Sequence, residues 1–369
     1  MKRSILVCWT ALIMFLSGCA SVPDDVKTNN KTTENNCSEI EGEKITIEEA
    51  LKDSSDIYNN DYQQIKIAPG LDLDFSNVTE VTDYTLSLVA WDETDHRKVL
   101  DFFSGQGLYG KTTSEDSGTA IDGDWVQFSD GEHTITMDYA GYVAYNDDSD
   151  FSSDAVICDS FKYGDAKCQE KNKLSNGEYS FNEVNEYISD LIKEWKTIDK
   201  HFDLVPAEIY VWETPSGSKA YDIFYAKESN GMKFDYELST TMSENSNYMY
   251  LNVFVDTYGK ISFWSNNNGI YSVDSSSKVE GNFYTLDDAL KIVEKKFTPE
   301  TDFTIYEIML SYEMLYDSEE DVFTTKPCWK FNFDDNSGKD DLTHKMVRNV
   351  FVDITNGKLY DSYSDLASW

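Results

Sequence analysis

Apolar positions recur at helical spacing in three stretches of this chain and at a spacing of two in many others. In 285–297, Leu286, Ala289, Leu290, Val293 and Phe297 share one side of a 3.6-residue repeat. That pattern predicts an amphipathic helix, opened by Thr285 with Asp288 three residues on as a capping box. Thr46-Ile47-Glu48-Glu49-Ala50-Leu51-Lys52 repeats the pattern, but Asp53-Ser54-Ser55-Asp56 cuts that helix short. A third helix opens at Ser180-Phe181-Asn182-Glu183 and stripes Val184, Tyr187, Ile188, Leu191 and Trp195 along one face. Acids in each first turn oppose the positive end of the helix dipole.

Two of these helices lead into similar strand signals. After Ser180 come strand-like runs at 208–212, 220–226 and 248–255, ending Val253-Phe254-Val255-Asp256 before Gly259-Lys260-Ile261. After Thr285 come runs at 304–316 and 328–333, then Val350-Phe351-Val352-Asp353 before Gly357-Lys358-Leu359. Asp bonds its own turn backbone and Gly supplies the positive φ of a tight hairpin. The expected fold class is α+β: tandem helix-on-antiparallel-sheet (α-β-β-β) modules at 176–281 and 282–369, preceded by an N-terminal α+β domain at 45–175. That first domain predicts strands at 64–67 and 84–91, a helix at 95–103 burying Val99, Phe102 and Phe103, and a hairpin of 125–128 with 133–139. Whether it is a third, diverged module stays open at this point.

The first residues read differently. Lys2 and Arg3 precede an apolar run of 12 residues, Ile5 to Leu16, and then Ser17-Gly18-Cys19. The run is shorter than the roughly 20 residues of a spanning helix, and cations, apolar stretch and small residues in that order make a signal peptide, 1–18. Leu16-Ser17-Gly18-Cys19 resembles the lipobox of bacterial lipoproteins. The resemblance implies cleavage before Cys19, a lipid on its thiol, and a protein tethered to the outer face of the cell membrane. Residues 19–44, rich in Asn, Thr, Asp, Glu and Lys, form a flexible tether reaching on the order of 25–30 Å.

Charge narrows the partners. With 31 Lys+Arg against 68 Asp+Glu the net charge is -37. Such a surface repels nucleic-acid phosphates and anionic headgroups, so no nucleic-acid partner is expected. An aromatic content of 14% argues for a folded core despite the acidity. Cys37, Cys158, Cys168 and Cys328 remain after Cys8 and Cys19, and outside the cytoplasm they are able to oxidise. Cys158 and Cys168 flank a polar segment and are the candidate disulfide, the alternative being two unpaired thiols.

No chemistry stands out. His96, His133, His201 and His344 lack zinc-site spacing, and no nucleophile elbow or phosphate-cradling glycine loop occurs. The acidic runs 146–150 and 334–340 offer oxygen ligands but depart from the calcium-loop pattern and read as solvated turns. No catalytic, metal or cofactor-binding residue is assigned. Trp264, beside Ser265-Asn266-Asn267-Asn268-Gly269, suits either a sugar-stacking surface or the rim of a core.

The opening Thr-x-Asp/Glu-Asp/Glu-Ala-Leu-Lys and the closing Val-Asp-x-x-x-Gly-Lys-Leu resemble PepSY-type domains, best over 284–362. The resemblance implies a non-catalytic extracellular module that binds or restrains a protein or peptide partner. The expected function is therefore a lipid-anchored binding or regulatory protein, not an enzyme. A carbohydrate- or small-ligand-binding lipoprotein and a cell-surface hydrolase are the rivals.

Overall fold

The computed structural model describes residues 45–52, 54–120, 123–147, 155–162, 181–235, 249–267, 269–295, 303–317, 320–335 and 348–361. In chain order these give α1 (Ile47–Leu51), a 3-10 turn (Ser54–Asn59), β1 (Ile65–Ile67), β2 (Thr82–Leu88) and α2 (Glu93–Gly105). Five strands follow: β3 (Ser114–Ala120), β4 (Gly123–Ser129), β5 (His133–Asp138), β6 (Val143–Asp147) and β7 (Val156–Lys162). Helix α3 (Phe181–Trp195) precedes β8 (Asp203–Glu213), β9 (Lys219–Ser229), β10 (Met232–Phe234), β11 (Tyr250–Val255), β12 (Ile261–Asn267) and β13 (Tyr271–Lys278). Helix α4 (Leu286–Glu294) leads to β14 (Phe303–Asp317), β15 (Val322–Asp335), β16 (Arg348–Asp353) and β17 (Leu359–Asp361).

The helix starts follow their caps. Thr46 Oγ1 accepts the Glu49 amide at 3.3 Å while the Glu49 carboxylate accepts the Thr46 amide at 2.9 Å. Thr285 and Asp288 make the same reciprocal pair. Helix α3 buries Val184, Ile188, Leu191 and Trp195, joined by Phe181 and Ile192. Tyr187, expected on that stripe, is 40% exposed.

The α+β arrangement of helix-on-antiparallel-sheet modules does not form. The protein is mostly β, with 17 strands in one mixed sheet and four α-helices among the described residues. The cause is edge pairing. A module closed on itself would leave rows of unpaired N–H and C=O groups at its rims. Here β12 instead pairs with β6, from Phe263↔Asn146 to Asn266↔Val143, and so joins the segment after α3 to the segment after α2. Nine strands thereby run antiparallel in the order β7-β8-β9-β11-β12-β6-β5-β4-β3. β14 takes β1 and β10 as parallel partners, and β2 bridges β13 and β15. The likeness read from the sequence holds at the two turns. Asp256 accepts the Tyr258 amide and Asp353 the Thr355 amide, each at 2.8 Å, with Gly259 and Gly357 at φ 77° and 69°. The outer partners of the strands differ.

Helices α2 and α3 share one core against the nine-stranded part. Trp264 is fully buried there, its ring centroid 5.5 Å from Trp195 and 5.7 Å from Phe102. It closes a core and offers no surface for a sugar to stack on. Helix α4 buries Leu286, Ala289, Leu290 and Val293, and nearby the Trp329 indole N–H donates to the Tyr284 carbonyl at 3.0 Å. Among the described residues no helix is long and apolar enough to cross a membrane.

Candidate functional site, a cleft on the edge of β14

Strand β14 has two partners on one edge, and they do not meet. β1 pairs with it over Phe303–Ile305 and β10 over Ser311–Tyr312, both in parallel. Between those points, over 306–310, no strand pairs with that edge among the described residues. The chain leaving β1 bulges outward there and returns where the Thr79 amide donates to the Asn230 carbonyl at 3.2 Å. A cleft of about 770 Å³ lies inside the bulge.

One end of the cleft is locked by a tight turn. Asn230 and Gly231 connect β9 to β10 with φ of 54° and 81°, the pairing a two-residue hairpin loop demands. A Cβ on Gly231 would sit 2.1 Å from the Asn77 carbonyl oxygen, so only glycine lets the outer loop close down there. Asn77 Nδ2 also donates to the Gly231 carbonyl at 3.3 Å. Farther along the loop, Phe75 packs edge-on against Trp329, centroids 5.0 Å apart.

The lining divides by strand alternation, because successive side chains point to opposite faces. Ile308 and Leu310 share one face of β14 with Tyr312; Glu307, Met309 and Ser311 lie on the other, with Lys233 opposite Ser311. From the loop, Leu71, Phe75 and Val78 add apolar surface while Asp72 and Asp74 add charge. The hydroxyl and amide of Ser76 hold the Asp74 carboxyl below its usual range.

Behind the polar side lies a buried charge cluster. The Lys330 ammonium, fully buried, donates to Asp235 Oδ1 at 2.6 Å, and Asp235 lines the cleft. Glu313, 9% exposed, follows Ser311 by two on the same face of β14, and its Oε2 has no hydrogen-bond partner. Burial pushes its carboxyl up to about 8, with the Asp235 charge adding to the shift and Lys330 opposing it. Ser311, 3% exposed, also has an unpartnered hydroxyl. Asn332 Nδ2 donates to Glu307 Oε2 at 2.8 Å. Burial, then Asp353 and Glu313, push the Cys328 thiol well up, which keeps it protonated and inert.

The residues singled out from the sequence lie elsewhere. Cys158 is exposed on β7 and Cys328 is buried on β15, while Cys19, Cys37 and Cys168 lie outside the described residues. His133 Nδ1 is 2.9 Å from Asp130 Oδ2, and His96 Nε2 is 3.4 Å from the Asp138 carbonyl. His201 is exposed, and His344 lies outside the described residues. Most of the acidic runs 146–150 and 334–340 also lie outside them, and no cluster of metal-ligating residues occurs among the described residues. Sequence reasoning passed over Asp235, Ser311, Glu313 and Lys330, although the pair Asn230-Gly231 signals the hairpin that brings β10 to β14.

This architecture defines a mostly-β protein built on a single mixed sheet. It is similar to the crystal structure of an uncharacterized protein from Eubacterium rectale ATCC 33656, with a TM-score of 0.55 and 16% identity, covering 77% of this chain and 86% of that one. That likeness is one of fold. No protein-family model matches the chain, and no curated protein matches it.

Proposed function

We propose that this chain is a non-catalytic binding protein, held at the outer face of the cell membrane by a lipid on Cys19, and that the β14 cleft receives its ligand. The observation carrying the binding role is the cleft itself. Its volume of about 770 Å³ falls in the range of ligand sites. Its wall combines apolar side chains with a few charged groups and the buried, unpartnered Ser311 hydroxyl. A restraining role toward a protein or peptide fits the same site.

Two measurements test the two halves of the proposal. Mass spectrometry of membrane-extracted protein should find a diacylglyceryl adduct on an N-terminal Cys19, and Cys19→Ala should release the protein to the medium. Wild-type protein secreted unmodified would end the anchor. For the cleft, a thermal-shift screen over small amines, sugars and peptides should return ligands whose stabilisation is lost in Asp72→Arg/Asp74→Arg. Hits that stabilise both proteins equally would place the site elsewhere.

A further inference from the structure

We infer that the occupant of the cleft is an extended peptide with alternating basic and apolar side chains, which adds to β14 as the parallel strand missing between β1 and β10. The inference rests on the cleft being the binding site and names the class of ligand it takes.

Backbone geometry carries the first step. The Asp235 amide donates to the Tyr312 carbonyl at 3.0 Å, so the N–H and C=O of Tyr312 face the β10 edge. Backbone groups alternate sides along a strand. Leu310 and Ile308 therefore turn their N–H and C=O to that same edge; the Lys233–Ser311 pairing uses the Leu310 carbonyl, which leaves the Leu310 N–H and both backbone groups of Ile308 with no strand to meet them among the described residues. Both residues are nearly buried, at 6% and 3% exposure. A nearly buried strand edge without a ladder partner is a template for another chain, and main-chain bonds to such an edge are how extended peptides are held. At about 3.3 Å per residue, the open stretch 306–310 takes a segment of roughly five residues.

Side-chain chemistry carries the second step. An added strand would present alternate residues to the two faces of β14. On one face it would meet Ile308 and Leu310, with Phe75 packed on Trp329 beside Leu310. On the other it would meet Glu307, Met309, Asp235 and the unpartnered Ser311 hydroxyl; the loop adds Asp72 and Asp74 to the lining, and Lys233 is the single lining cation among the described residues. With Asp235 held by Lys330, the other three lining carboxylates, Asp72, Asp74 and Glu307, against the one lining ammonium select a cationic face on the ligand, and the net charge of -37 draws such a ligand in.

The probe is acetyl-Val-Lys-Val-Lys-Val-amide, titrated into the full chain by calorimetry. Its companions are the Val-Glu-Val-Glu-Val counterpart, a version N-methylated at alternate amides in both registers, and spermidine. The basic peptide should bind. The acidic peptide and at least one N-methylated register should bind at least tenfold more weakly, and Asp72→Arg/Asp74→Arg should lose at least tenfold for the basic peptide. Both N-methylated registers binding as tightly as the unmethylated basic peptide overturns strand addition. So does binding of spermidine but not the peptide, although that result leaves the cleft standing as a binding site. If neither spermidine nor any peptide binds, or the double variant binds the basic peptide as the wild type does, strand addition and the cleft reading fall together.

Discussion

Replacing Glu313 with glutamine should change how the stability of this protein depends on pH, more than its stability at any single pH. The carboxyl sits behind the cleft with one oxygen unpartnered, and burial raises it from 4.5 to about 8. A group raised on folding binds more protons in the native state than in the unfolded chain between those two values. Its contribution is fully present below about 4.5 and is lost as pH rises through about 8. The slope is of the order of 1 kcal/mol per pH unit across that window. A side-chain amide does not titrate there, so Glu313→Gln removes the slope and leaves the Lys330–Asp235 pair in place. Urea unfolding followed by tryptophan fluorescence at pH 5, 6, 7 and 8 gives both curves. The wild type minus variant difference cancels every other titration, and it should fall steadily with pH. A flat difference, or one that rises with pH, would refute a buried protonated Glu313.

Other substitutions probe the remaining parts. Lys330→Met leaves Asp235 buried without its partner and should cost about 3–5 kcal/mol in urea unfolding; adding Asp235→Asn should recover part of that loss. Trp264→Ala should cost about 3–5 kcal/mol, as a core tryptophan does, whereas a change within about 0.5 kcal/mol would make it a surface residue. Gly231→Ala forces a Cβ to within 2.1 Å of the Asn77 carbonyl at a φ of 81°. It should lower the melting temperature and speed proteolysis of the 69–79 loop, while Gly217→Ala, with a similar φ but open space around it, should leave that loop's proteolysis unchanged.

Local pattern made much of the secondary structure legible. The capping boxes at Thr46 and Thr285, the stripe Val184-Ile188-Leu191-Trp195 and the Asp-to-Gly turns at 256–259 and 353–357 all appear where short-range chemistry puts them. Strand partners were not legible, because edge pairing such as β12 with β6 or β10 with β14 joins residues more than 70 positions apart and leaves no local trace. The site was hidden for a related reason. Glu307, Ser311 and Glu313 alternate with Ile308, Leu310 and Tyr312, a period-two pattern that ordinarily marks a face open to water. Here that face is enclosed at Ser311 and Glu313, with Lys330 and Asp235 supplying charges where a core would supply methyl groups.

Amide hydrogen exchange along β14 tests the central claim most directly. With saturating acetyl-Val-Lys-Val-Lys-Val-amide, the amides of Ile308 and Leu310, which face the open edge, should slow at least tenfold. The amide of Met309, already turned toward β15, should be unchanged. Unaltered exchange at Ile308 and Leu310 with the peptide bound would contradict the account.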